Sequence, residues 1–238
     1  GEVKSIKKIY LNYLFKFFTY FETNKMKKIF FVLITLIVSS CMDTPTKAPL
    51  METTKANSEP SGPHTSVEWK IWAYSSAAPS FIASKCTVVD VDGTILRQGT
   101  NGWTAMAANP RGMADPENGW KDPHEAMPMV GDAQAMKVME AFMAGTSPKL
   151  DHDGWAWMLH GDMGEDNTTP MVFNKEDSAE GQWIESGPHL MLMPKDPSSL
   201  KGMTTDFNSG GPYIMFEGTG LDHLMIPVEG YYDYQPQK

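Results

Sequence analysis

The stretch Thr87–Thr104, TVVDVDGTILRQGTNGWT, constrains the fold more than any other part of this chain. Its β-branched start, Thr87–Val91, is typical of a strand, and Asp92-Gly93 is a strong hairpin turn because both residues tolerate a positive φ. Thr94–Arg97 then returns as a second strand before a glycine-rich loop. The stretch therefore predicts a β-hairpin, followed by a loop that packs Trp103 against the core.

The same stretch also resembles a catalytic motif. VVDVDGTIL resembles motif I of the haloacid dehalogenase-like phosphatases, which have a nucleophilic first Asp and an acid/base second Asp. Further on, GDMGED has the spacing of that family's magnesium-binding motif. The resemblance implies that Asp90 attacks phosphorus, while Asp92, Asp162 and Asp166 serve Mg²⁺ and proton transfer.

The surrounding sequence favours the hairpin over the phosphatase. The phosphatase fold requires motif I at the end of a buried parallel strand, followed by repeated βα units. Here Leu96 leads into a passage rich in Pro, Gly and Asn that runs to Gly131 without a long apolar period. Because short motifs recur by chance, we prefer the hairpin interpretation.

An export signal lies near the start of the chain. Met26-Lys27-Lys28 is a basic segment, Ile29–Val38 is apolar but too short for a stable membrane span, and Ser39-Ser40-Cys41 follows. This ending resembles the lipobox of bacterial lipoproteins. The resemblance implies that residues 26–40 are a signal peptide, that Cys41 is lipidated, and that residues 1–25 are translated upstream sequence.

The predicted mature chain is strongly acidic and lipid-anchored in the bacterial cell envelope, at the periplasmic or outer-membrane face. Without its first 40 residues it has 13 basic and 27 acidic residues, a net charge of about −14. Such a charge disfavours nucleic acid and anionic membrane surfaces as partners. Beyond Cys41 only Cys86 remains, so no intramolecular disulfide is expected, and Cys86 is predicted to be a small buried residue.

Composition divides the mature chain into a tether and one domain. Residues 41–65 are rich in Thr, Pro, Lys, Ser and Glu, which is typical of a flexible tether. Residues 66–238 suit a single α+β domain. Ser66 is placed to cap a helix that Pro79 interrupts, and Asp132 is placed to cap a second helix, Ala133–Met143.

Strands dominate the rest of the domain. Gly154–His160 (GWAWMLH) is predicted to be an aromatic strand. GPHLML and GPYIMF share one pattern, whose core returns in HLMI at residues 223–226, and each is typical of a strand entered through a turn. We therefore expect an antiparallel sheet of hairpins and a meander, with two or so helices packed on one side.

Three groups of side chains are candidates for binding. Asp162, Glu165 and Asp166 would offer carboxylates to Ca²⁺, but the loop lacks EF-hand spacing, so a solvated acidic turn is the preferred interpretation. Imidazoles and thioethers suit copper or another transition metal, the thioethers favouring Cu(I), although Met also fills irregular cores; these candidates are His189, His223, Met191 and Met225. A possible ligand pocket comprises Trp103, Trp157, His160 and Tyr213.

Four segments also resemble those of a family of small secreted bacterial proteins of unassigned function: LRQGTNGWT, WAWMLHGD, WIESGPHLMLMPKD and GGPYIMFEGTGLDHLMIPV. The resemblance spans about Ala77 to Val228 and implies no activity or cofactor. The sequence contains no Ser-His-Asp order, HExxH, zinc cysteine cluster or phosphate loop. We therefore expect a non-catalytic binding module for a small ligand or protein partner, with copper binding and a phosphatase as alternatives.

Overall fold

A computed structural model describes residues 58–235 of the chain. The predicted upstream segment, the signal peptide, Cys41 and most of the tether lie outside the described residues. Ten strands occur within them: β1 Thr87–Val89, β2 Ile95–Arg97, β3 Thr104–Ala107, β4 Pro128–Gly131, β5 Gly154–Met158, β6 Glu165–Asp166, β7 Trp183–Ile184, β8 His189–Met193, β9 Tyr213–Met215 and β10 His223–Pro227.

Eight of these strands form one sheet in the order β2-β1-β3-β4-β5-β8-β10-β9, and β6 pairs with β7 in a separate ribbon. The predicted hairpin is confirmed, because β1 pairs with β2 in an antiparallel ladder that sets Val89 opposite Ile95. In the main sheet only β1 and β3 are parallel neighbours. The sheet is therefore mostly antiparallel, as the turn chemistry predicts.

Four α-helices accompany the strands in this part of the chain: α1 Val67–Ser75, α2 Ser80–Ala83, α3 Pro123–Ala126 and α4 Ala133–Ala144. The predicted caps are confirmed. Ser66 Oγ accepts from the backbone N–H of Trp69, and Asp132 Oδ1 accepts from those of Gln134 and Ala135. Single turns of 3₁₀-helix at Lys175–Asp177 and Pro197–Leu200 complete the helical elements.

The two longer helices lie on opposite faces of the sheet. Val130 of β4 packs in one apolar cluster with Trp69 and Ala73 of α1, whereas its neighbour Met129 packs in another with Ala135 of α4. Successive strand residues point to opposite faces, so α1 covers one face and α4 the other. The expectation of helices on one side is therefore not confirmed.

The C-terminal strands occur where the sequence predicts them, but not as a simple meander. β10 lies between β8 and β9 and pairs antiparallel with both. Cys86 is buried and free, as expected. No helix among residues 58–235 is long and apolar enough to cross a membrane.

The end of the predicted tether packs on the domain. Trp69 donates its indole N–H to Glu59 (2.7 Å), and the His64 ring stacks on the Trp69 ring with 4.2 Å between centroids. His64 Nδ1 also donates to the carbonyl of Trp120 (2.6 Å). The folded part therefore begins upstream of Ser66, in a segment whose composition alone predicts no structure.

Candidate functional site

The acidic loop after β5 is an interior feature of the fold. Asp162 and Asp166 are only 2% and 1% exposed, and Asn167 is 2% exposed. The expectation of a solvated acidic turn is therefore wrong. The loop turns inward at Gly161, which has φ +67° and no room for a Cβ beside the carbonyl of Ser186. This turn carries the next residues under the chain that leads into β8.

Asp162 is held by backbone hydrogen bonds to its own loop and to Ser186. Its Oδ1 accepts from the N–H of Gly164 (2.9 Å) and of Ser186 (3.1 Å), while its own N–H donates to Ser186 O (2.8 Å). Burial raises the pKa of Asp162 to about 6, although these hydrogen bonds and the nearby His124 act in the opposite direction. Asp162 is therefore a buried carboxyl that titrates close to neutral pH.

Glu165 lies close enough to Asp162 for the two carboxyls to influence each other. Burial and the charge of Asp162 raise the pKa of Glu165 to about 8, and Arg111 only partly offsets them. The residue as a whole is nevertheless partly exposed. Within residues 58–235 no ion pair or side-chain hydrogen bond holds this carboxyl, so it is free to meet a ligand.

Arg111 joins the long loop after β3 to the acidic loop. Its Nη2 donates to the carbonyls of Gly164 and Phe173 (2.6 Å to the latter), its Nε also donates to Phe173 O, and the guanidinium lies 5.6 Å from the centre of the Phe173 ring. No described carboxylate oxygen comes within 4.0 Å of the guanidinium. Arg111 thus supplies positive charge near Asp162 and Glu165. Most of its N–H groups donate to backbone carbonyls and not to these carboxyls.

Two imidazoles, those of His124 and His160, border the group formed by Asp162, Glu165 and Arg111, which we call the recess. His124 Nδ1 donates to the carbonyl of His160 (2.7 Å), and its ring stacks on Tyr234 at 3.9 Å. His160 Nε2 is 2.8 Å from Ser76 Oγ, which ties it to the end of α1. Burial, followed by the charge of His124, lowers the pKa of His160. His160 is therefore neutral near pH 7 and serves as a link between elements.

A chain of hydroxyls runs from the recess into the core. The hydroxyl oxygens of Tyr213 and Tyr231 are 2.5 Å apart, and Tyr231 donates to Ser186 Oγ (3.3 Å). Burial raises the pKa of both phenols well above the usual value. Both tyrosines therefore stay protonated, and the chain fixes β9 and the C-terminal segment against the loop that holds Asp162.

Asp166 has a structural role. Its Oδ1 accepts from the N–H and the hydroxyl of Thr168 and from the N–H of Thr169, and its Oδ2 accepts from Ser178 Oγ and the N–H of Ala179. Burial raises the pKa of Asp166, but these hydrogen bonds outweigh it and hold the pKa at about 2. Because both carboxylate oxygens accept hydrogen bonds from this segment, Asp166 stabilises the conformation of the 166–179 loop.

The structure does not bring the phosphatase candidates together. Asp90 directly follows β1, and its Oδ2 forms an ion pair with Lys70 Nζ (2.8 Å). Asp92 lies in the hairpin turn, where its Oδ1 accepts from the N–H of Thr94. Asp162 and Asp166 follow β5. Since β3 and β4 lie between β1 and β5, the two pairs are separated by three strand spacings, about 14 Å.

The metal candidates share one face of the β8–β10 pair. Met191 lies directly opposite Met225, and His189 lies opposite Pro227, four residues along the ladder from His223. The two imidazoles therefore lie at opposite ends of the pair, about 13 Å apart along the strands, with the methionines between them. Each His donates through Nδ1 to a carbonyl two residues earlier, so each neutral ring keeps a lone pair on Nε2.

The predicted pocket residues do not line one cavity. Trp103 and Trp157 pack against the cluster beneath α1, whereas Tyr213 is fully buried in the cluster beneath α4. His160 is engaged by α1 through Ser76. A shallow cleft of about 410 Å³ does occur elsewhere, between His64 and the 114–125 loop. None of the predicted site residues lines it.

Sequence reasoning missed most of the recess. Glu165 was expected only as a Ca²⁺ ligand, and His124 only in a His-x-x-Met-x-Met pattern that suits copper. Arg111, Ser186 and Tyr231 were not expected at a site at all. The length of the loop after β3 is the one available signal, since long loops in compact domains are commonly functional. No protein-family model matches the chain, and no curated protein or solved structure matches it either.

Proposed function

We propose that this chain is a lipid-anchored envelope protein whose folded domain is a non-catalytic binding module. Its ligand recess is formed by Asp162, Glu165, Arg111 and His124. The export signal and Cys41 support the envelope location, and the accessible part of Glu165 supports the position of the recess. Membership in the family of small secreted proteins remains part of the same proposal.

One observation is the main support for the proposed binding site: the neighbouring carboxyls of Asp162 and Glu165 have pKa values raised to about 6 and about 8. Titratable groups perturbed by burial and by each other concentrate at functional sites. Structural carboxyls are normally paired, as Asp166 is, because a buried charge without a partner is costly. Glu165 has no such partner among the described residues, and a ligand would supply it.

The arrangement fits binding better than catalysis. The hydroxyls of Tyr213, Tyr231 and Ser186 bond to one another, and the imidazoles of His124 and His160 bond to a carbonyl and to Ser76. Nucleophilic catalysis needs a hydroxyl or thiol in hydrogen-bond reach of a base. Ser76 Oγ does lie 2.8 Å from His160 Nε2, but this hydroxyl also donates to Ala73 O (3.1 Å), so the pair ties His160 to the end of α1.

A thermal-shift screen of the full-length protein tests the proposal. The compounds are small and polar, grouped as organic cations, organic anions, neutral polyols and divalent metals. A ligand of the recess raises Tm in the wild type and in Glu180→Gln, which alters an exposed carboxylate of the same loop region, but not in Glu165→Gln. Failure of every class to raise Tm, or an equal rise in Glu165→Gln, would refute the proposed site.

The register of β8 and β10 supports a soft metal site as a second candidate. Among residues 58–235, no group of three or more His, Cys, Asp and Glu is placed to hold a metal ion, so a site there would depend on thioethers. Met191, Met225 and one flanking imidazole form a donor set that favours Cu(I). Elemental analysis after Cu(I) loading tests this, with loss of stoichiometric copper expected in His189→Ala/His223→Ala.

A further inference from the structure

The segment of residues 231–235, which follows β10, lies against the recess. It forms successive turns, in which the N–H of Asp233 donates to Gly230 O (3.0 Å) and that of Gln235 to Tyr232 O (3.1 Å). Within the described part of the chain, no bond between backbone groups joins residues 232–235 to another segment. The position of these residues therefore depends on side-chain contacts, and parts of a fold that are held in this way open most readily.

The first two residues of the segment are held firmly. Tyr231 is 2% exposed, its carbonyl accepts from the N–H of Gly187 (2.9 Å), and its hydroxyl donates to Ser186 Oγ (3.3 Å). The hydroxyl of the next residue, Tyr232, donates to Phe207 O (2.9 Å). The segment is thus fixed to the domain at this end.

Two side-chain contacts hold the other end. The ring of Tyr234 stacks on that of His124, with 3.9 Å between the centroids and 15° between the planes. Gln235 Nε2 donates to the carbonyl of Glu185. Tyr234 is nevertheless 39% exposed, so its ring covers the imidazole from the solvent side. This end is the one that can leave the domain at the smaller cost.

The two ends contact groups on either side of Asp162. At the fixed end, Ser186 donates its N–H to Asp162 Oδ1 (3.1 Å) and accepts the N–H of Asp162 (2.8 Å). At the exposed end, the imidazole beneath Tyr234 belongs to His124, which is close enough to affect the pKa of Asp162. The segment therefore bridges two neighbours of a carboxyl that is only 2% exposed.

We propose that residues 231–235 form a latch over the recess, fixed at Tyr231 and released at Tyr234, which opens before a ligand reaches Asp162. This inference rests on the proposed binding recess and adds a step that controls access to it. In the closed position the ring of Tyr234 occupies one face of the His124 ring. A ligand that contacts this imidazole therefore competes with the protein's own side chain, which is an autoinhibitory contact.

The latch opens without unfolding of the sheet. Opening separates the Tyr234 and His124 rings and breaks the bond from Gln235 to Glu185, while Tyr231 keeps its contacts. One aromatic pair favours the closed position by a factor of about two to ten. Loss of the Tyr234 ring should therefore raise the fraction of open molecules by that factor and leave the rest of the domain unchanged.

Hydrogen exchange of the full-length, detergent-solubilised protein, followed by mass spectrometry, tests the latch. The segments to compare are 160–166 and 183–187, which contain the N–H groups of Gly164 and Ser186 that donate to Asp162. Tyr234→Ala should speed exchange there about two- to tenfold and leave the β1–β2 hairpin unchanged.

Two further variants serve as controls for this measurement. Tyr234→Phe keeps the ring on His124 and should match wild type. Phe81→Ala removes a ring of α2 that is 72% exposed, and it should leave exchange in both segments unchanged. Unchanged exchange in Tyr234→Ala would overturn the inference. Equal acceleration throughout the domain, with the β1–β2 hairpin included, would also overturn it, because Tyr234 would then only stabilise the fold.

The same variant separates the latch from the proposed function. A compound of the thermal-shift screen that acts through Glu165 should bind Tyr234→Ala at least about twofold more tightly than wild type, because closed molecules lower the apparent affinity. Equal or weaker binding would refute the latch and leave the recess standing. Faster exchange in Tyr234→Ala, with no compound of any class acting through Glu165, would support the latch and refute the proposed function.

Discussion

Glu165 should make the stability of the protein depend on pH. Its pKa is raised to about 8 in the folded state, mainly by burial and then by Asp162, and returns to about 4.3 on unfolding. Between these values the folded state binds more protons, so stability falls as the pH rises through 8. We expect wild type to lose at least about 1 kcal/mol, the free energy of one pKa unit, between pH 6.5 and 9.

Urea unfolding of wild type and Glu165→Gln across that range checks this prediction. The variant cannot ionise at this position, so its stability should be nearly constant from pH 6.5 to 9. Glu180→Gln removes an exposed carboxylate from the same loop region and should keep the wild-type slope. An unchanged slope in Glu165→Gln would mean that the carboxyl is solvated in the folded protein.

Asp166 should have the opposite pH dependence. Its five hydrogen bonds keep the folded pKa at about 2, below the unfolded value of about 3.9, so its contribution is present at neutral pH and disappears as pH falls through 2. Asp166→Asn should cost about 2–4 kcal/mol at pH 7, since the amide leaves buried donors unmet. Urea titrations from pH 7 to 2 should show this difference shrinking, while exposed Asp177→Asn stays near wild type throughout.

Among the elements, those defined by local chemistry were predictable. The caps at Ser66 and Asp132, the turn at Asp92-Gly93 and the helix end at Gly145 depend on residues within one turn of each other, and all are found. The order β8-β10-β9 was not predictable, because it depends on which distant strands pair. In consequence His189 and His223, equivalent in the repeated sequence, lie at opposite ends of an antiparallel pair.

The connection after β2 gives a test at the level of elements. A Cβ at Gly99 would lie 2.5 Å from Lys85 O and closer still to the backbone of Cys86 and Thr87. Backbone cannot move aside as a flexible side chain can, so Gly99→Ala should displace the chain that enters β1 and cost about 3 kcal/mol or more. Chemical denaturation measures this loss.

Gly211 provides the matched control. A Cβ there has open space within 4 Å, and its φ is not in the positive range that excludes other residues. Gly211→Ala should therefore change stability by no more than about 0.5–1 kcal/mol, in either direction. Equal effects of the two substitutions would show that the loop after β2 does not pack on β1 as described.

At the scale of the whole molecule, the recess depends on parts of the chain that are distant in sequence. Arg111 lies in the loop after β3, and Glu165 lies in the β6–β7 region between β5 and β8. Tyr231 lies in the C-terminal segment. Only the folded sheet brings these loops to one place. Acidic composition therefore predicts a solvated turn, because composition carries no information about which other segments will cover it.

Lipidation of Cys41 would determine where in the cell the recess meets its ligand. If Cys41 is lipidated as its resemblance to a lipobox implies, a cell that expresses the chain from Met26 should incorporate an alkyne-labelled fatty acid into it. Cys41→Ser should abolish that labelling and release the protein from the membrane fraction, because without acyl chains the strongly negative domain is repelled by anionic lipid. Cys86→Ser should retain full labelling, since Cys86 is buried within the fold. Labelling that survives Cys41→Ser would place the acyl chain on another residue, whereas membrane retention without any labelling would mean that an uncleaved apolar segment holds the domain at the membrane.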